Sequence, residues 1–187
     1  MAKLIYVTPA SLNGCIADET GDFDWAAPDE EGHAFINDIV RPIGTYLYGR
    51  KMYQTMAVWE TPEVIPGQTP ALLDFARIWQ AADKIVYSKS LETVATPKTR
   101  LEREFDPQVV RGLKSQLPHD VAVGGPTLAA HANRDGLVDE YHLFVAPVII
   151  GGGKPVLPGN ERVTLELLDE RGFDKGMVYL RYRAIRA

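Results

Sequence analysis

Cysteine is almost missing from this chain: Cys15 is the only one in 187 residues. An intramolecular disulfide is therefore impossible. A lone thiol with no base near it in sequence reads as a buried group rather than a nucleophile. Long apolar runs are missing too, since no stretch approaches the roughly 20 residues that span a bilayer. The opening Met-Ala-Lys-Leu-Ile-Tyr-Val reads as a strand, without the apolar core and cleavage site of a secretory leader. These absences point to a cytoplasmic protein with no membrane partner. Positive charge is in deficit, with 20 Lys and Arg against 25 Asp and Glu. That balance argues against nucleic acid as a partner, so any anion site must be a local cluster. The four histidines, His33, His119, His131 and His142, show no metal-ligand spacing; they read as structural or surface groups, and no metal is expected. No G-x-S-x-G elbow is present for a serine hydrolase.

What remains is typical of a globular domain. Hydrophobic residues make up 45% and charged residues 24%, in a length that suits one domain over 1–187. Periodicity predicts strands at Leu4–Val7, Tyr46–Tyr48, Lys84–Tyr87, Val121–Val123, Tyr141–Ile150, Val163–Leu168 and Val178–Ile185. A helix capped by Asp29 is expected to run to about Val40, with Ala34, Phe35, Ile39 and Val40 on one side. Further helices are expected over Arg50–Met56, from Thr69-Pro70 through Trp79, over Phe105–Ser115 and over Thr127–Ala132. Ser11–Asp24 and Thr61–Gly67 read as loops. The last two strands fold back around Gly172–Gly176 as an antiparallel hairpin. Early alternation of strand and helix, closed by a hairpin, argues an α/β fold with a mixed sheet flanked by helices.

Two strand-to-helix steps break at glycine, Gly49-Arg50-Lys51 and Gly124-Gly125-Pro-Thr127-Leu128. Such corners leave bare backbone N–H groups where an anion can sit. Glycine lets a ligand approach the backbone, arginine grips phosphate with two parallel hydrogen bonds, and lysine adds a point charge. Two corners suit a diphosphate-containing cofactor crossing the sheet edge. Ser88-Lys89-Ser90 after another strand offers hydroxyls and a cation for a further phosphate. Gly151-Gly-Gly-Lys154 is not a phosphate loop, because Val148 stands at the first glycine position and Pro155 where Ser or Thr is needed. It reads either as a plain glycine-rich loop or as one that touches ligand. The dense carboxylates lie in Asp18–Trp25 and Asp29-Glu30-Glu31. Trp25 beside Asp24 suits a pocket that stacks a flat ring and bonds its edge, and a buried carboxylate there could relay a proton. The competing reading is a solvated loop that feeds a capped helix.

In order along the chain come Ala10-Ser-Leu-Asn-Gly-Cys-Ile-Ala17, Leu47-Tyr-Gly-Arg-Lys51, the strand ending at Ser88-Lys89, Val123-Gly-Gly-Pro-Thr-Leu128, and Val138-Asp-Glu-Tyr-His-Leu143 running into Ala146-Pro-Val-Ile-Ile-Gly-Gly-Gly153. This ordered set resembles the dihydrofolate reductase-like family, in the branch of the riboflavin-biosynthesis reductase domain (the RibD C-terminal domain). The resemblance implies a mixed, mostly parallel eight-stranded sheet with helices on both faces, and reduction of a small heterocyclic or related substrate by NADPH. It places Gly49, Arg50 and Lys51 at the cofactor phosphates and Ser88 and Lys89 at the adenosine 2′-phosphate. Gly124, Gly125, Thr127 and Leu128 would line the pyrophosphate, with the backbone of Ile16 and Ala17 at the nicotinamide. Met52 departs from the threonine the family often has there. Asp24 and Asp29 are the candidate proton-handling residues, and Trp25 the candidate substrate contact. A folate reductase carries a pterin-binding acid on its first helix, whereas Asp29, Glu30 and Glu31 sit at the start of that helix; dihydrofolate is therefore not the expected substrate.

The leading expectation is an NADPH-dependent reductase that holds nicotinamide and substrate face to face, with Ser11–Asp24 as a candidate lid. Within that class the narrower alternative is the riboflavin-pathway 5-amino-6-(5-phosphoribosylamino)uracil reductase. The alternative of another class is a non-catalytic nucleotide-binding protein. The phosphate corners alone do not separate NADPH from NADH or from a deazaflavin. Homodimerisation is expected from the apolar alternation of the terminal hairpin and the run Phe144–Ile150.

Overall fold

The computed structural model describes residues 1–159 and 161–185. Along the chain lie β1 (Leu4–Ser11), β2 (Cys15–Ala17), α1 (Glu30–Val40), β3 (Ile43–Gly49), α2 (Arg50–Met56), α3 (Pro70–Ala81), β4 (Asp83–Tyr87) and β5 (Thr99–Glu102). Then follow α4 (Pro107–Gln116), β6 (Asp120–Gly124), α5 (Pro126–Arg134), β7 (Glu140–Ala146), β8 (Lys154–Pro155), β9 (Thr164–Gly172) and β10 (Val178–Ile185). Local chemistry sets the helix starts. Asp29 accepts a hydrogen bond from the Gly32 N–H at 2.9 Å, Thr69 caps α3 ahead of Pro70, and Asp106 caps α4 ahead of Pro107. Pro42 stops α1.

Eight strands form one sheet in the order β5-β4-β3-β6-β1-β7-β10-β9. Neighbouring pairs from β5 to β7 are parallel, and β10 and β9 close the sheet antiparallel. The two-residue period of the strands then sorts side chains onto two cores. Leu47, Val121 and Val123 face α4 and α5, packing with Val110, Leu128, Ala129 and Ala132. Tyr46, Tyr48 and Ala122 face the other way, packing with Val40, Ile78 and Trp79 of α1 and α3. Trp79 and Tyr48 are buried and joined by a 3.2 Å hydrogen bond from indole to hydroxyl. Burying rings of this size removes roughly 150–250 Å² each from water, an upper stabilisation of about 4–6 kcal/mol per ring.

A buried charge cluster pins β7 between its neighbours. Glu140 takes Lys3 at 2.7 Å and Arg181 at 2.9 Å, and its second oxygen also meets His142 Nε2 at 3.1 Å. His142 Nδ1 in turn meets the Tyr179 hydroxyl at 3.0 Å. Burial alone would push the Glu140 carboxyl up, but its hydrogen bonds from Arg181, Lys3 and His142 outweigh it and bring the group down to about 2.

Several expected boundaries moved. The run expected as a strand over Tyr141–Ile150 ends at Ala146, because Pro147 has no N–H to continue the ladder. The Phe105–Ser115 helix begins later, at Pro107 behind its Asp106 cap, and runs to Gln116. The Ser11–Asp24 loop contains β2, which pairs with β8. A short 3-10 turn, Pro62–Val64, lies inside the Thr61–Gly67 loop. Strand β5 was unanticipated. Ala34 is exposed, and Ile36 rather than Ala34 joins Ile39 and Val40 on the packed side of α1.

Candidate functional site

Because β1, β3, β4, β6 and β7 run parallel, their carboxyl ends share one edge of the sheet. That edge is where open α/β sheets bind ligands. Each cofactor residue expected from the sequence lies at this edge or on a segment that leaves it: Ile16 and Ala17 after β1, Gly49 at the end of β3 with Arg50 and Lys51 following, Ser88 and Lys89 after β4, and Gly124 at the end of β6 with Gly125, Thr127 and Leu128 following.

The two glycine corners are neighbours. Tyr48 pairs directly with Gly124 in the parallel β3–β6 ladder, so the chains turn away side by side at a spacing of about 4.8 Å. Gly49 caps α2, and Gly125 caps α5 with φ +87°. The floor under the second corner is full. A Cβ on Gly124 would lie 2.6 Å from Tyr48 Cε1 and 3.3 Å from Met52 Cγ, and one on Gly125 would lie 3.2 Å from Met52 Cβ. Met52 thus serves as packing beneath Gly124-Gly125. Above the floor, the N–H groups of Thr127 and Leu128 in the first turn of α5 have no intrahelical acceptor, while Pro126 carries no N–H. Arg50 and Lys51 are exposed beside them. This donor and cation set fits a diphosphate.

Ser88 is buried, and its Oγ accepts from the N–H groups of Ser90 at 3.3 Å and Leu91 at 3.0 Å. Among the described residues, the hydroxyl has no acceptor for its own proton. Lys89 is exposed, with Glu104 at 3.6 Å.

The β1 end is held by residues whose part the sequence did not reveal. Asn13 donates from Nδ2 to the Ile150 carbonyl at 2.8 Å and accepts from the Ile150 N–H at 3.0 Å. Ser11 Oγ accepts from the Cys15 N–H and donates to Asn13. The loops after β1 and β7 are thereby tied together. A Cβ on Gly153 would stand 2.2 Å from the Ala17 carbonyl oxygen, and one on Gly152 would stand 2.4 Å from Glu19 Oε1. The glycine-rich segment therefore serves as a close wall for Ala17–Glu19. Asn13 precedes Gly14, a local turn pattern that says nothing of Ile150; only the fold shows this long-range use.

The acidic loop is folded on itself. Asp18 Oδ1 accepts from Thr20 N, Thr20 Oγ1 and Asp22 N, and the Thr20 and Asp22 hydrogen bonds hold this carboxyl below its ordinary range. Trp25 is half-buried and donates from Nε1 to the Asp22 carbonyl at 3.1 Å. Asp24 is exposed and opens the 3-10 turn Asp24–Ala26, which packs against β1 and β7. Asp29 spends one carboxylate oxygen on the α1 cap. Among the described residues, no three His, Cys, Asp or Glu side chains gather as a metal site, and no helix is long and apolar enough to cross a membrane.

Comparison with known proteins agrees with this geometry. The chain is 28% identical over 192 residues to the uncharacterized protein YyaP of Bacillus subtilis, covering 96% of this chain and 94% of that one. A Shewanella sp. PV-4 structure superposes over the whole of both chains with a TM-score of 0.76 at 17% identity. A diaminohydroxyphosphoribosylaminopyrimidine deaminase/5-amino-6-(5-phosphoribosylamino)uracil reductase of Thermotoga maritima gives a TM-score of 0.65 at 14% identity, over 98% of this chain and 57% of that one. The fold is dihydrofolate reductase-like, with a mixed, mostly parallel eight-stranded sheet. The RibD C-terminal domain model matches residues 2–179, and the chain belongs to that family.

Proposed function

We propose that this protein is an NADPH-dependent reductase of a small heterocyclic substrate. The observation that carries the reading is the direct pairing of Tyr48 with Gly124, which sets the two glycine corners side by side at the carboxyl edge of the sheet, where helix N-termini suit an anion. Membership of the RibD C-terminal domain family supports reductase chemistry. NADPH supplies the hydride when bound. The protein's part is positional. Gly49–Lys51 and Gly124–Leu128 hold the diphosphate, and Ser88 with Lys89 meets the 2′-phosphate. The backbone of Ile16 and Ala17, braced by Asn13 and Gly153, fixes the nicotinamide edge. Asp24, Trp25 and Asp29 lie between the end of β1 and the start of α1, where a substrate ring would face the nicotinamide. Fixing that geometry is what the protein contributes to hydride transfer in this reading.

The test is a fluorescence titration with NADPH and NADH, followed by nicotinamide oxidation against pteridines, pyrimidines and quinones. NADPH binding with turnover supports the reading. Binding without turnover across all three classes favours a nucleotide-binding scaffold, and no binding rejects both. Homodimerisation belongs to the same proposal. Strand β9 is an exposed sheet edge bearing half-exposed Leu165 and Leu167, and antiparallel pairing with a second copy would satisfy its open backbone groups. A monomeric mass by light scattering at micromolar concentration rejects it.

A further inference from the structure

The reductase reading leaves the substrate open, and the α1 side of the sheet narrows it. Met52, Met56 and Trp59 follow one another at helical spacing along α2 and the 3-10 turn that continues it. Val7 of β1 and Ile36 of α1 join them. All five pack against the core of that face while each keeps a part exposed. The strip starts at Met52, which touches the Gly124-Gly125 corner. It ends at Trp59, about 10 Å further along by the rise of the α2 helix.

His33 closes the outer end from the first turns of α1. Its ring stands edge-on to Trp59 at 6.1 Å and tilted against Phe75 at 5.7 Å, and Trp59 and Phe75 are themselves 4.5 Å apart. The His33 side chain is half-buried, and neither ring nitrogen meets a protein hydrogen-bond partner among the described residues. A three-ring wall with one polar edge left over is suited to stack a flat molecule and hydrogen-bond its rim.

The charge around this strip is wrong for a phosphate. From Asp29 to Val40 and from Met52 to Glu63 there is no Lys or Arg. Glu31 is held by Arg171 at 2.6 Å, and Glu60 lies in the field of buried Lys84. Among the described residues, Asp29, Glu30 and Glu63 are acidic groups of the same region with no cationic partner. Arg41, beyond the end of α1, is taken by Asp74 at 2.8 Å.

Resting on the reductase reading, we infer that the substrate is a flat, uncharged heterocycle without a phosphate, bound between α1 and α2 with its outer part against Trp59 and His33. The substrate ring would reach from the nicotinamide corner along the Met52–Trp59 strip. A phosphoribosyl compound would carry its charge past Arg50 and Lys51, which the reductase reading assigns to the cofactor, to walls whose nearest other cation, Arg171, is held by Glu31.

The experiment is calorimetric titration of the NADPH-saturated protein with two probes, quinazolin-4-one and 5-amino-6-(5-phosphoribosylamino)uracil. The expected result is tighter binding of quinazolin-4-one. Trp59→Leu and His33→Ala should each weaken it, by about tenfold for the lost stacking, while Trp59→Phe retains it. NADPH affinity, measured on the same variants, should stay within about twofold of wild type, a change well under the energy of one stacking contact. Tighter binding of the phosphoribosyl compound overturns the inference. So does absent quinazolin-4-one binding, or equal affinity in wild type, Trp59→Leu and His33→Ala. If Trp59→Leu fails to fold, Trp59→Phe and His33→Ala decide. A wild-type protein that binds no NADPH is a different failure, since it removes the reductase reading and this inference with it.

Discussion

Gly124→Ala is the sharpest perturbation of the corner. The new methyl carbon would stand 2.6 and 2.7 Å from two carbons of the Tyr48 ring. That ring has nowhere to go. It is buried, its hydroxyl is bonded to Trp79 Nε1 at 3.2 Å, and it stacks on Tyr46 with centroids 5.6 Å apart. Overpacking of this kind costs about 1–3 kcal/mol, and the immobile ring argues for the upper half of that range. At this chain length each kcal/mol lowers Tm by about 2–4 °C, so a fall of roughly 4–12 °C is expected. Because Met52 Cγ would also stand only 3.3 Å from the new carbon, relief must move the corner itself, and NADPH affinity should drop by at least about tenfold. Gly49→Ala is the control. A Cβ there meets nothing within 4 Å, and φ is −79°. Its expected cost is only that of a poorer helix cap, about 0.5–1 kcal/mol. Thermal unfolding by circular dichroism and an NADPH fluorescence titration read both quantities. Equal Tm values for the two variants, or a Gly124→Ala protein that binds NADPH as wild type does, would refute the reasoning.

Three further outcomes are expected. Arg50→Ala should weaken NADPH and NADH alike, since both carry the diphosphate, whereas Lys89→Ala should weaken NADPH more than NADH, with the difference shrinking at high salt; equal losses for Lys89→Ala would remove it from the reading of the 2′-phosphate. Asn13→Ala deletes both bonds to Ile150, which should cost about 1–2 kcal/mol and raise hydrogen exchange in residues 12–17 and 148–153 together; exchange confined to one loop contradicts the tie. Glu140 sets a pH dependence. Its carboxyl is held near about 2 in the folded chain against an ordinary 4.5, so its stabilisation is complete above the ordinary value and is lost as pH falls toward about 2. Glu140→Gln should therefore lower Tm at pH 7 and flatten its decline on acidification, and parallel Tm-against-pH curves would contradict the assignment.

Elements governed by local chemistry were legible in the sequence. Asp29, Thr69-Pro70 and Gly49 mark helix starts by capping and φ restriction alone, and the Arg50–Met56 helix was read to the residue. Strand β5 was not legible, because Thr99-Arg-Leu-Glu102 has a single apolar residue and exists by pairing with β4 at a sheet edge. The β2–β8 pair is likewise invisible locally, since Cys15 meets Pro155 across most of the chain. Pro147 was a readable stop, overridden by the apolar run on either side of it. For the site, the glycines and cations stood out by composition. Asn13, Met52 and Trp59 did not, because their use depends on partners that only the fold supplies.

The central claim is that Gly49 and Gly124-Gly125 clasp one diphosphate-bearing nucleotide. It is tested most directly by following backbone amide resonances during an NADPH titration. The largest shifts should fall together on 49–51 and 124–128, saturating with one binding constant. Shifts at one corner alone, at a distant surface, or nowhere would contradict the account.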